Sequence, residues 1–195
     1  DMFMSMWNHY RHFTPDIYAR FNDSGRVGDP FPVCPEDIHM FWHEWITRGR
    51  SPWESEGYPF PGNMHHIQSW WHFRHLDNIL FVHYNDLLAN LSGEVQRIAS
   101  FLQIGVSPES LAKVLPSLSL ESMRRDREKN NPEMNQTWQG GATTFFFKGT
   151  NGRWKEVLTP EELVLYERAV KRVLTPDCAK WLEQGRKAFE FTTED

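Results

Sequence analysis

NILFVHY, residues 78–84, is the stretch that most restricts how this chain folds. It is a short apolar run without polar alternation, the pattern of a strand covered on both faces. Such a strand needs strand neighbours on both sides for its backbone N–H and C=O groups. The rest of the 195 residues reads as helix and loop, so most of the sheet this strand requires is missing from the sequence.

Helical periodicity accounts for most of the remainder. Phe3, Trp7 and Tyr10, with Met6 and Phe13 beside them, predict a helix over 2–13 that is apolar nearly all round and therefore buried. Residues 22–35 are rich in proline and glycine and read as a loop. Ile38, Phe41, Trp42 and Trp45 follow the spacing of an amphipathic helix. A loop over 48–63 then leads to a helix over about 64–76 that carries Met64, Ile67 and Trp71. Val95, Ile98, Ala99 and Leu102 mark a helix that Ser92 is placed to cap, and Ser107-Pro108-Glu109 opens another over 107–116. The polar stretch 124–142 predicts a mobile loop. Thr159-Pro160-Glu161-Glu162 combines an N-cap, a first-turn proline and a capping-box glutamate, and Leu163, Tyr166, Val170 and Val173 supply the buried face behind it. Thr175-Pro176-Asp177 opens a last helix with Cys178, Trp181 and Leu182. No repeat and no linker divides the chain. The expectation is a single domain over 1–195 that starts within a helix and is incomplete at its N-terminal side.

Charge and cysteine content narrow the function classes. A net charge of −5 argues against a general nucleic-acid binder, whose footprint is basic, so any anion site must be local. Two cysteines, Cys34 and Cys178, are too few for a disulfide framework and predict reduced thiols in a cytoplasmic compartment. No apolar run approaches the roughly 18 residues of a membrane span. Nine tryptophans fit either a heavily aromatic core or an apolar pocket for an aromatic or lipidic ligand.

One local anion site stands out. FFFKGTNGRWKEVLTPEE, residues 145–162, carries an aromatic run into a small, basic, glycine-punctuated loop and then a helix start. The stretch alone does not name the anion. No G-x-x-x-x-G-K-[ST] loop, G-x-G-x-x-G fingerprint or G-x-S-x-G elbow is present. His65, His66, His72 and His75 invite a metal reading, but His72 and His75 sit at i, i+3 with no cysteine near in sequence, and no metal site is assigned. Nothing nearby marks either cysteine as an activated nucleophile.

Several pieces in register resemble the cytosolic-type sulfotransferase family, which moves a sulfuryl group from 3′-phosphoadenosine 5′-phosphosulfate (PAPS) to an acceptor hydroxyl or amine. FFFKGTNGRWKEVLTPEE resembles the family's C-terminal donor motif, an Arg-Lys-Gly triplet followed after two residues by Gly-Asp-Trp-Lys. ILFVHYNDLLANLSGEVQRIASFLQI resembles its strand-Tyr-x-Asp-Leu-helix block. SLESM, 119–123, is similar to a Ser-Phe-x-x-Met segment near the adenine, and DMFMSMWNHY to the helix after an Arg-Asn-Pro-Lys-Asp turn. The resemblance implies an α/β, P-loop-like three-layer fold, here mostly helical because the N-terminal strands are absent. It implies 3′-phosphate contacts from Ser5, Lys148 and Gly149, and adenine-side contacts from Tyr84, Ser119 and Met123. PAPS would be the donor, PAP the product, and no metal is implied.

The departures carry expectations of their own. Phe147 occupies the place of the triplet's arginine and Arg153 that of the aspartate, so Arg153 is expected to replace part of the missing guanidinium. Lys155 and Thr159 match the family's dimerisation motif whereas Pro160 and Val164 do not, which leaves a homo-oligomer undecided. The 5′-phosphosulfate loop and the catalytic histidine, which precede this region in the family, have no counterpart here, so the catalytic residues are unknown. Phe31, Trp53, Tyr58 and Phe60, on two aromatic-rich loops, are candidates for the pocket of a hydrophobic small-molecule acceptor. The alternative reading is a non-catalytic remnant that binds a 3′-phosphonucleotide or a partner.

Overall fold

The computed structural model describes residues 1–189. Its first helix, α1 (Met2–Arg11), turns Phe3 and Tyr10 inward, and its last turn ends where Phe13 meets Trp138 in an isolated antiparallel bridge. A second helix, α2 (Pro15–Phe21), has no counterpart in the periodicity reading; Thr14 caps it by accepting from Ile17 N, with Pro15 in the first turn. In α3 (Ile38–Thr47) Phe41, Trp42, Trp45 and Ile46 are buried, and Asp37 caps the helix by accepting from His39 N at 2.8 Å. Phe3 packs on Trp42 with ring centroids 4.5 Å apart, which fixes α1 against α3. Each such aromatic burial contributes about 2–3 kcal/mol.

The second half folds against this aromatic layer. α4 (Asn63–Trp71) buries Met64 and Trp71. α11 (Pro160–Val173) carries the full capping box: Thr159 Oγ1 accepts from Glu162 N and Glu162 Oε2 accepts from Thr159 N. Glu162 also anchors α3, since its carbonyl accepts from Trp42 Nε1 at 3.3 Å and its carboxylate meets His39 Nδ1 at 2.9 Å. α12 (Pro176–Gln184) buries Cys178 and Trp181, the latter 5.3 Å from Trp71. Trp71 Nε1 and Arg74 both donate to Asp177, and the hydrogen bonds from Thr175 and Trp71 hold its carboxyl down at about 2. Both cysteines are free, and burial pushes the Cys34 thiol up to about 12 and Cys178 to about 11.

Three expectations are corrected. The strand expected over 78–84 does not form: among the described residues there is no strand, and 79–83 belongs to no regular element, while the mostly helical content is as expected. A strand exists only through a neighbour's N–H and C=O groups, and here Arg97 Nη2 takes the Phe81 carbonyl instead, at 2.8 Å. Residues 124–142 are not a loop: Ser119 caps α8 (Leu120–Asn130), and α9 (Met134–Thr137) and α10 (Gly141–Phe145) follow. The stretch's Arg, Glu and Lys residues favour helix on its exposed face. Finally, Asn90 rather than Ser92 caps α6 (Leu91–Phe101), accepting from Gly93 N at 3.0 Å. On the same helix Glu94 is fully buried, where Arg97 and Arg186 pair with it. The preceding α5 (Tyr84–Ala89) is joined to the same network through buried Asp86, which accepts from Arg186 N at 3.1 Å. The helix entered at Ser107, α7 (Pro108–Val114), forms as expected. No described helix is long and apolar enough to cross a membrane.

Candidate functional site

A cleft of about 890 Å³ opens between the first turns of α1, the start of α5, the first residue of α8 and the loop 145–155. Five of the residues singled out from sequence line it together: Ser5, Tyr84, Lys148, Gly149 and Arg153. They lie up to 148 positions apart in the chain, so tertiary packing alone gathers them. Ser5 is half-buried on α1, its Oγ 3.4 Å from His9 Nε2. Tyr84 opens α5 and its hydroxyl donates to the Gly149 carbonyl at 3.0 Å, which ties the two family-like segments to each other. Gly149 has φ +64°, and a Cβ there would lie 3.0 Å from Leu120 Cδ2 and 3.4 Å from the Tyr84 hydroxyl. Both the left-handed backbone and the close approach require glycine.

The loop's backbone explains what this surface can hold. Among the described residues, the N–H groups of Phe147, Lys148, Gly149, Thr150 and Asn151 donate to no protein acceptor. The next two are occupied: Asp1 Oδ2 accepts from Gly152 N at 2.7 Å and Asp1 Oδ1 from Arg153 N at 3.0 Å. Successive free backbone N–H groups bordering a lysine form an anion-binding concavity. Lys148 Nζ lies 5.3 Å from the centroid of the exposed Phe147 ring. Among the described residues the Arg153 guanidinium makes only a long contact, Nε to the Thr150 carbonyl at 3.4 Å.

Three further groups on the cleft wall, His83, Tyr166 and Asn8, are already engaged, and His9 lies outside the lining. His83 Nδ1 accepts from Asn85 N at 3.1 Å and its Nε2 reaches the Leu182 carbonyl at 2.9 Å, an arrangement that needs the neutral Nε2–H tautomer. Tyr166 donates to Glu183 at 3.2 Å; burial, then Glu183, raises its phenol above the ordinary value. Asn8, a buried polar residue absent from the sequence reading, donates to the Thr144 carbonyl at 3.0 Å and fixes α1 to α10. His9 packs 4.7 Å from Phe145 and its Nδ1 has no partner among the described residues; burial, then His12, lowers its pKa.

The remaining sequence candidates fall elsewhere. Ser119 caps α8, its Oγ accepting from Ser122 N at 3.1 Å and donating to the Pro116 carbonyl, and it does not line the cleft. Met123 does not line it either; Leu120 does. The four aromatic candidates are not gathered around one cavity. Phe31 and Phe60 pack around Tyr10, at 5.6 and 5.3 Å, because these rings fill the core under α1. Tyr58 lies under the Arg48 guanidinium at 3.9 Å. Trp53 is 77% exposed and borders a second, shallower cavity of about 520 Å³ with Met2, His65 and His66. Asp1 is not singled out by the sequence, and Leu120 enters only as the residue that stands in place of the family's phenylalanine in SLESM. Their signal is weak: a first residue with no upstream context, and a leucine in an otherwise charged helix.

A family model described as a sulfotransferase domain matches residues 1–180. The chain is 27% identical over 127 residues to a glycolipid sulfotransferase of Mycobacterium bovis, covering 65% of this chain and 39% of that protein. It is 32% identical over 124 residues to sulfotransferase 1B1 of Canis lupus familiaris, covering 60% of this chain and 39% of that one. The chain thus spans about two fifths of the length of these curated relatives. The crystal structure of mouse sulfotransferase SULT7A1 complexed with PAP shares the fold at a TM-score of 0.67 and 20% identity, over 94% of this chain and 59% of that one.

Proposed function

The chain belongs to the sulfotransferase domain family, and on that premise we propose that its cleft holds the adenosine and 3′-phosphate half of PAPS. The observation that carries the reading is the run of N–H groups over 147–151 without an acceptor among the described residues, on a loop that lines one cleft with Ser5 and Tyr84. Backbone donors, a lysine ammonium and a helix hydroxyl supply what a phosphate dianion requires without an arginine at position 147. Arg153 stands at the same wall as a second cation, and of the α8 segment proposed for the adenine side Leu120 lines the cleft whereas Ser119 and Met123 do not.

In the reaction, an acceptor oxygen attacks the sulfuryl sulfur and forms a new S–O bond. The bond to the 5′-phosphate oxygen breaks, its electron pair leaves on PAP, and the acceptor's proton passes to a base. These 195 residues contribute donor binding and orientation. No catalytic base and no 5′-phosphosulfate contact is assigned among them, and the curated relatives contain more chain than is aligned here. The acceptor is proposed to be a hydrophobic small molecule, aromatic or lipid-like; the glycolipid sulfotransferase among the relatives supports the lipid-like class. A cytoplasmic setting is part of the proposal, supported by the two free thiols.

Incubating the full-length protein, with any residues that flank these 195, with radiolabelled PAPS and a panel of phenols and long-chain alcohols tests the reading. Transfer of label to an acceptor is the expected result. PAP binding without transfer would favour the non-catalytic remnant, a reading that Phe147 in place of an arginine keeps in view, and absence of PAP binding would sink both.

A further inference from the structure

We infer that Arg124 on α8 is the positioning residue that sets the donor loop's N–H groups toward their anion, supplying from a helix the guanidinium that position 147 lacks. The inference rests on the donor-binding reading above.

Three contacts carry it. Arg124 Nε donates to the Phe146 carbonyl at 3.1 Å, Nη2 donates to the same carbonyl, and Nη2 donates to the Phe147 carbonyl at 2.8 Å. Each of these carbonyls shares a peptide plane with the N–H of the following residue. The peptides here are trans, so carbonyl and N–H point in opposite directions. Holding the carbonyls of 146 and 147 against α8 therefore turns the N–H groups of Phe147 and Lys148 away from it. These are the first two of the five donors with no protein acceptor.

The same face of α8 braces the far side of the loop. Leu120 lies four residues before Arg124, one turn back on the same face, and it lines the cleft against Gly149. One helix face thus fixes both the carbonyls before Lys148 and the glycine after it. Phe147 does not do this work: its side chain is 45% exposed and lies beside Lys148 Nζ. Nη1 of Arg124 has no partner among the described residues, so a permanently charged group stands beside the donor run in addition to orienting it. Arg153 lacks such an anchor, with one contact at 3.4 Å.

The test compares PAP with adenosine 5′-monophosphate, which lacks the 3′-phosphate, by calorimetry on the full chain. The parent protein is expected to prefer PAP by tenfold or more. Arg124→Gln is expected to reduce that preference about tenfold while leaving 5′-monophosphate affinity in place, and Arg124→Lys to restore part of it. Equal loss for both ligands, or an unchanged preference in both variants, would overturn the inference, because a role confined to stability cannot discriminate the 3′-phosphate. Should Arg124→Gln not fold, Arg124→Lys decides alone: it keeps the charge but not the two-carbonyl fork, and full retention of the parent's preference overturns the positioning role. A parent protein with no preference for PAP would instead remove the donor-binding reading on which the inference stands.

Discussion

Two places in this molecule present a row of backbone N–H groups, and they are filled in opposite ways. At the start of α4, the Glu56 carboxylate is fully buried and accepts from Asn63 N, Met64 N and His65 N at 3.2, 2.9 and 3.3 Å. Burial outweighs those three bonds and raises Glu56 above the ordinary carboxylate range, yet the helix start has its anion built in. At 147–151 the five residues line a cleft and their N–H groups meet no acceptor among the described residues, while Lys148 and Arg153 bring positive charge instead of a carboxylate. Asp1 marks the boundary between the two arrangements, because it fills the next two N–H groups, of Gly152 and Arg153. An internal anion closes a donor row for structure; a donor row left open beside cations is available to a ligand.

The largest expected effect lies on the closed side. Glu56→Ala strands three donors and leaves a hole beneath α4, and should lower unfolding stability by about 3 kcal/mol. A urea midpoint giving less than about 1 kcal/mol would mean that the carboxylate is not what holds the helix start. On the open side, Lys148→Ala should weaken PAP binding about 30-fold, near 2 kcal/mol, with the urea midpoint unmoved. Unchanged affinity there would erase the contrast, since the open row would then be binding no anion. The smallest effect sharpens the contrast through His9, whose Nδ1 is buried without a partner among the described residues. Its folded pKa lies below the ordinary 6.5, so its contribution is present above that value and is lost as pH falls toward the folded one. The drop in melting temperature between about pH 7.5 and about pH 5.5 should narrow in His9→Phe. An equal drop in parent and variant would assign the pH response to other groups.

How much of this was legible in the sequence depended on distance along the chain. Thr159 with Glu162, and Ser107 with Ser110, cap their helices across three residues, and both starts were read correctly. Ser92 and Asn90 are both good caps by residue type, and local pattern could not choose between them. In the structure Asn90 takes the cap, and the helix it starts is tied by Glu94 to Arg186, 92 positions away. The lysine-glycine loop and Tyr84 were legible as motif matches. Arg124 was not: it sits in a charged stretch that reads as solvent-facing, and its role is visible only once α8 lies under the loop.

By itself the sequence determined the family, most helix starts, the basic glycine-rich loop and the lack of strand partners for 79–83. These follow from interactions within a few residues or from the order of motifs, which a linear pattern records. Only the tertiary structure decided which tryptophans and phenylalanines are core, which carboxylates close donor rows, and which N–H groups remain open to the cleft. A hydrogen-bond donor is structural or available according to what lies within about 3 Å of it, and that neighbour comes from elsewhere in the chain.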